Sequence, residues 1–228
     1  MTIKAILFDH DGTLVDSEGI HFRIWAKILA TFGVFLSEQQ YKDHYAGIPT
    51  MTNATDMVAR FSLPMDPGVL VNAKGVATRD FLARESFPLM PGIRESLVLL
   101  QGWGLLLAVV TGASRDGVDS TIRSQGLDTT FSTIVSGDDV DKSKPAPDCY
   151  QLAMGRLNLV PHECLAVEDT GHGVAAAAAA GIACLAVPTQ MSDHHDFKRA
   201  AGVFRNIGAA TERIAGYLKL ENSTFGAG

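Results

Sequence analysis

The chain has 228 residues, 46% of them hydrophobic and 19% charged, the balance of a soluble globular protein able to bury a sizeable core. A formal charge of -6 and a pI near 5.6 argue against a nonspecific binder of nucleic acid or acidic membranes, which needs a basic surface. A small anionic substrate would therefore need a locally positive site.

Met1-Thr2-Ile3-Lys4 shows no signal-peptide pattern, and the longest apolar stretch, Val174 to Val187, is short and dominated by alanine. These features predict a cytoplasmic enzyme with no membrane segment. Cys149, Cys164 and Cys184 are odd in number and lack CxxC or Cys/His spacing, so neither disulfides nor zinc are expected. Cys164 and Cys184 fall in apolar strand-like runs, where a buried thiol is the default.

The first predicted element is a buried strand over Ile3 to Phe8, followed at once by Asp9-His10-Asp11-Gly12-Thr13. On an extended segment positions i and i+2 share a face, so both carboxylates can enter one crevice at the strand's carboxyl end. Gly12 lets the backbone turn away, and His10 is expected on the opposite side, in the core or at an interface. Residues 17–87 read as a helical insert, because Phe22, Trp25, Ile28, Leu29 and Phe32 recur at helical spacing and no strand-like run follows. That stripe is expected to form the insert's own core.

Pro91-Gly92 marks the start of a helix over Ile93 to Leu100, after which short apolar runs return. They are Leu105 to Val110, Thr133 to Ser136, Cys164 to Val167, Ile182 to Val187 and, more weakly, Val203 to Ile207. Helical patterns between most of them predict an α/β Rossmann-like core, a parallel sheet with helices on both faces. The division is residues 1–16 and 88–228 for the core and 17–87 for an inserted α-helical cap. Ala175 to Ala180 reads as a helix whose small side chains let it lie close to the sheet.

Three further signals sit at predicted strand ends. Thr111-Gly112 offers a hydroxyl and exposed backbone N–H groups able to cradle phosphate oxygens. Lys144, in Ser143-Lys144-Pro145-Ala146-Pro147, is an ammonium on a stiffened backbone, whereas Lys142 reads as a solvated surface lysine. Glu168-Asp169 puts two adjacent acids at an apolar strand end, where they repel one another unless a cation sits there, and Mg²⁺ is a hard ion of the right kind.

The run Phe8-Asp9-x-Asp11-Gly12-Thr13-Leu14 with Asp16-Ser17, then Lys144-Pro145-x-Pro147-Asp148, then Glu168-Asp169 followed by Gly173, resembles the haloacid dehalogenase superfamily of phosphotransferases. Within it the chain looks most like the α-helical-cap branch that holds β-phosphoglucomutase, phosphoglycolate phosphatase and small sugar-phosphate phosphatases. The resemblance implies that Asp9 attacks phosphorus to form an aspartyl-phosphate. Asp11 then acts as acid and base. It also implies Mg²⁺ held by Asp9, the Asp11 backbone carbonyl and Asp169, with Glu168 close by or bound through water. Lys144 and Thr111, with Gly112 and Ala113, complete the phosphate site.

His21 matches a cap-helix histidine of the sugar-phosphate members that senses or orients substrate. Ala46-Gly47-Ile48-Pro49-Thr50 corresponds to the cap loop, which makes Gly47 and Thr50 candidate substrate contacts. The mutases carry a Lys and an Arg in that loop. Here neither is present, and Lys42 and Arg60 are not at the matching positions. A Mg²⁺-dependent phosphatase is therefore expected rather than a mutase, acting as a monomer on a small phosphorylated metabolite, a sugar or sugar-acid phosphate. A silent phosphate-binding module would lack an essential group, yet Asp9, Asp11, Lys144 and Asp169 are all present.

Overall fold

The computed structural model describes residues 3–224, with side chains to residue 218. Its sheet has six strands, β1 (Ala5–Phe8), β2 (Leu106–Val110), β3 (Thr133–Val135), β4 (Cys164–Glu168), β5 (Ala183–Ala186) and β6 (Gly202–Val203). Every pairing is parallel, in the order β3-β2-β1-β4-β5-β6. The chain builds outward from β1 through β2 and β3, then crosses back to β4 on the other flank. The direction of winding reverses between β1 and β4, and in open parallel sheets ligands bind in the crevice outside the strand ends at such a point.

Side-chain size divides the two faces of the sheet. Ile6, Phe8, Leu107, Val109, Leu165, Val167 and Leu185 share one core cluster. Residues of α5 (Ile93–Gly102), α6 (Arg115–Ser124) and α9 (Ile207–Thr224) belong to the same cluster. The other face is smaller on average, with Ala5, Ala108, Ala166, Cys184 and Ala186 beside Leu7, Val110 and Val135. Small residues there let α7 (Asp148–Leu157) and the alanine-rich α8 (Gly171–Ala179) pack closely, with Ala176 and Ala177 fully buried. Cys149, Cys164 and Cys184 are free and buried.

Between β1 and α5 lie α1 (Glu18–Ala30), α2 (Glu38–His44), α3 (Thr50–Arg60) and α4 (Pro67–Leu82). They enclose a separate cluster that includes Trp25, Leu29, Tyr41, Tyr45, Met57 and Leu70. The chain leaves and re-enters the sheet layer side by side, with the Asp16 amide bonded to the Pro88 carbonyl at 2.9 Å and the Met90 amide to the Leu14 carbonyl at 2.9 Å.

Two expectations need correction. Phe32 does not join the insert's core but is 43% exposed, because α1 ends at Ala30 and the following turn swings it outward. The run Val203 to Ile207 is not one strand: β6 is only Gly202–Val203, and Ile207 opens α9 with its side chain buried. The other strands fall within a residue or two of the apolar runs that predict them. Among the described residues, no helix is long and apolar enough to cross a membrane.

Candidate active site

Asp9 follows β1 directly, and its amide donates to the Val167 carbonyl at 3.0 Å, which fixes it beside the end of β4. Parallel pairing of β1 with β4 matches Phe8 to Val167, so Asp9, just after β1, and Glu168-Asp169, at the end of β4, emerge as neighbours. Asp9, Glu168 and Asp169 are all buried and offer carboxylate oxygens within 4.8 Å of one another.

One cation is built into this acidic pocket. The Lys144 ammonium donates to Asp9 Oδ1 at 2.6 Å, to Glu168 Oε1 at 2.6 Å and to the Val110 carbonyl at 2.8 Å. Burial works against its charge, but Asp9 and Glu168 outweigh that effect and hold Lys144 protonated above the usual lysine range. Glu168 also accepts from the Tyr150 hydroxyl at 2.6 Å. Its second oxygen, Oε2, is buried without a hydrogen-bond partner. Burial, with Asp9 adding repulsion, pushes the Glu168 carboxyl up to about 7 despite Lys144. Burial and the charges of Asp9 and Glu168 drive Asp169 well above the ordinary carboxylate range.

Two glycines make the close packing possible. A Cβ on Gly12, whose φ is +80°, would fall on the Asp169 carboxylate, and one on Gly173, in the first turn of α8, would fall on Glu168.

Asp11 faces the same cavity but is not part of the acidic trio. Its Oδ1 accepts from the Ser17 hydroxyl and lies 3.3 Å from His21 Nε2, while Oδ2 is 3.5 Å from His10 Nδ1. Burial alone would raise it, yet His10 and His21 prevail and hold it well below the usual value. His10 is buried at 1% exposure, edge-on to Phe87, with neither ring nitrogen hydrogen-bonded.

Thr111 follows β2 and is buried, but its hydroxyl is engaged within its own turn, accepting from the Ala113 amide at 3.0 Å. Thr111, Gly112, Ala113, Lys144, Asp9 and Asp11 line one cavity of about 580 Å³.

The segment that carries α1 to α3 lines the other side of that cavity with His21, Trp25, Gly47, Thr50 and Asn53. Gly47, at φ +67°, presses its backbone against Thr170 of the core, so close that a Cβ there would meet the threonine methyl. Gly47 is thus a docking point between cap and core as well as part of the lining. Lys42 and Arg60 do not line the cavity: they pair with Asp193 and Asp56, each at 2.9 Å.

The cations the sequence reading missed are Arg79 and Lys74 on α4, both lining the cavity, and Lys74 is the buried one. It is 6% exposed, with its ammonium 3.0 Å from His21 Nδ1 and 5.9 Å from the centre of the Trp25 ring. Burial lowers it to about 8, against the opposing pull of Asp11 and Glu18. Its signal was an ionisable residue four positions after Leu70, on the stripe that α4 buries. Tyr150 was missed as well, since nothing local in Asp148-Cys149-Tyr150 announces a partner eighteen residues on.

Residues 6–187 match the family model of the haloacid dehalogenase-like hydrolases. Protein CbbY of Rhodobacter capsulatus is 32% identical over 220 residues, 92% of this chain and 96% of that protein. The fructose-1-phosphate phosphatase YqaB of Escherichia coli is 30% identical over 180 residues, 78% of this chain and 93% of that protein. A crystal structure of a CbbY variant from Rhodobacter sphaeroides, in complex with xylulose-1,5-bisphosphate, superposes with a TM-score of 0.77 at 29% identity, covering 90% of this chain and 95% of that one. With the family model matched over residues 6–187 and a relative 32% identical over 92% of its length, the chain belongs to the haloacid dehalogenase-like hydrolases.

Proposed function

We propose that this phosphoric monoester hydrolase is a Mg²⁺-dependent phosphatase of a small phosphorylated metabolite, a sugar or sugar-acid phosphate, working through an aspartyl-phosphate on Asp9. The observation that carries the reading is the buried trio Asp9, Glu168 and Asp169 beside Lys144, of which Asp9, with Lys144, lines the cavity that His21, Asn53 and Lys74 also face. Named relatives that act on fructose 1-phosphate or bind xylulose bisphosphate support the substrate class.

The donor set suits a hard divalent ion: three carboxylates converge, one oxygen of Glu168 has no partner, and Asp169 is forced toward its neutral form when no further cation is near. Asp9 and Asp169 would hold the ion, with the Asp11 carbonyl, and Glu168 beside them. Bound Mg²⁺ would neutralise charge between the carboxylates and the phosphoryl group.

Asp9 supplies the attacking oxygen, with Lys144 holding its other oxygen in place and presenting positive charge to the phosphoryl oxygens. The backbone of the Gly112-Ala113 turn faces them from the β2 side. Asp11, kept ionised by His10 and His21 in the free enzyme, is ready as the base that activates water. A phosphate dianion beside it raises its proton affinity, so that with substrate bound it can carry the proton needed by the leaving alkoxide. The His21-Lys74 pair ties Asp11 to the cap and sets polar groups toward the substrate's hydroxyls. Gly47 to Thr50 bring no cation of their own, while Lys74 and Arg79 of α4 line the cavity and can hold the substrate, and in this reading water receives the phosphoryl group.

A panel of phosphorylated sugars, glycolate phosphate and nucleoside monophosphates, assayed for phosphate release with and without Mg²⁺, tests this reading. Turnover of sugar or sugar-acid phosphates that disappears on chelation is the expected result. Turnover undiminished by chelation, or conversion of β-glucose 1-phosphate to glucose 6-phosphate faster than phosphate release, would overturn it.

The shifted acids also set a pH signature for the metal-free protein. Glu168 and Asp169 bind protons more tightly in the folded chain than in the unfolded chain, so the folded state holds extra protons above the ordinary carboxylate range. Stability is then lost as pH rises through about 7, the folded value of Glu168. Thermal melts in EDTA are expected to fall by several degrees between mildly acidic and neutral pH, and saturating Mg²⁺ should abolish the trend. Flat melts across that window would contradict it.

A further inference from the structure

The loop after β5 does something the reaction does not require of it. Three consecutive side chains, Met191, Ser192 and Asp193, reach three different places. Met191 packs against the cap's buried cluster. Asp193 pairs with Lys42 of α2 at 2.9 Å. Ser192, between them, is 2% exposed, with its hydroxyl 3.4 Å from Asp169 Oδ2.

The loop is tied to itself through Thr189. The Thr189 amide donates to the Ser192 hydroxyl oxygen at 3.0 Å, and the Met191 amide donates to the Thr189 hydroxyl at 3.1 Å. A buried hydroxyl whose oxygen already accepts needs an acceptor for its proton. Two acceptors are within reach, Thr189 Oγ1 at 3.3 Å and Asp169 Oδ2 at 3.4 Å, and only the second belongs to the acidic trio. On the other side of the same carboxylate, the Thr13 hydroxyl lies 3.4 Å from Oδ1. Both contacts are longer than an ordinary O–H···O bond, so they steer the carboxylate rather than bind it tightly.

We propose that Ser192 is a positioning residue for Asp169, and that Met191-Ser192-Asp193 is a brace through which docking of the cap sets the orientation of that carboxylate. The inference rests on reading the acidic trio as a Mg²⁺ site. When the cap engages Met191 and Asp193, Ser192 is pressed into place and Asp169 points into the trio. When the cap lifts, the loop loses two of its anchors and the carboxylate is freer to turn.

Isothermal titration of the full chain with Mg²⁺, beside p-nitrophenyl phosphate kinetics and thermal melts, tests it. Ser192→Ala is expected to weaken Mg²⁺ binding about tenfold, the usual scale for losing a group that orients a metal ligand, with KM for p-nitrophenyl phosphate changed by less than about twofold. The double variant Met191→Ala/Lys42→Gln, which leaves Ser192 intact, should weaken Mg²⁺ in the same direction, whereas Arg60→Gln, within the α3 pair Arg60-Asp56, should not. Ser192→Cys, close in size but a poor donor, should weaken Mg²⁺ like Ser192→Ala and carries the test if the alanine variant melts early. Unchanged Mg²⁺ affinity in both Ser192 variants overturns the proposal. Unchanged affinity in the double variant overturns the brace. A wild-type chain that binds no Mg²⁺ would instead remove the reading of the trio on which the proposal rests.

Discussion

Replacing Asp9 by Asn is expected to lower kcat/KM for phosphate esters by at least about 10⁴-fold, the scale seen when a nucleophile is removed from an otherwise intact site. The change is nearly isosteric, and the amide oxygen can still accept from Lys144, whose ammonium keeps Glu168 and the Val110 carbonyl as partners. What is lost is the charged, nucleophilic oxygen. Asp9 also raises both Glu168 and Asp169 through repulsion, so removing its charge relieves strain in the metal-free protein. The melting temperature without Mg²⁺ should therefore stay level or rise while activity disappears. Steady-state kinetics beside melting curves separate this outcome from simple unfolding, and a variant that kept a tenth of its activity would contradict the assignment of Asp9.

Lys144→Ala is expected to act on stability and on rate together. The ammonium is the cation between Asp9 and Glu168, both nearly free of solvent. Removing one partner from a buried ion pair typically costs about 3–5 kcal/mol, because the remaining charges are left uncompensated. For a chain of this size each kcal/mol is worth roughly 2–4 °C, so a drop on the order of 10 °C is expected without metal. Mg²⁺ should recover part of it by supplying charge to the same carboxylates. The rate should remain low even then, by about 10²–10³-fold, since the charge facing the phosphoryl oxygens is gone. A Lys144→Ala protein that melts with the wild type in EDTA would show that the acids are neutralised by some other means.

What the sequence makes legible is the gathering of acids at strand ends. Asp9 and Glu168-Asp169 each close an apolar run, and parallel pairing of β1 with β4 brings them together without further information, whereas Lys144 lies well past β3 and its contact with them is made only in the fold. Asp11 is equally legible as a cavity residue, yet its separation from the trio depends on Ser17, His10 and His21, which only the folded turn assembles. Lys74, Tyr150 and Ser192 were not found because their partners lie far along the chain, at His21, Glu168 and Asp169. Phe32 was misplaced for a related reason: helical spacing predicts a stripe but not the residue at which α1 stops.

The role of Asp9 has one direct test, which uses Asp11→Asn and p-nitrophenyl phosphate. The p-nitrophenolate group leaves without being protonated, so loss of Asp11 spares formation of a phosphoenzyme and blocks its hydrolysis, for which water must be activated. Mixed with an excess of ester and Mg²⁺, this variant should release a burst of about one p-nitrophenolate per chain. After acid quench and digestion, the phosphoryl group should be found on the peptide that contains Asp9. Turnover with no burst and no phosphorylated Asp9 peptide would contradict the account.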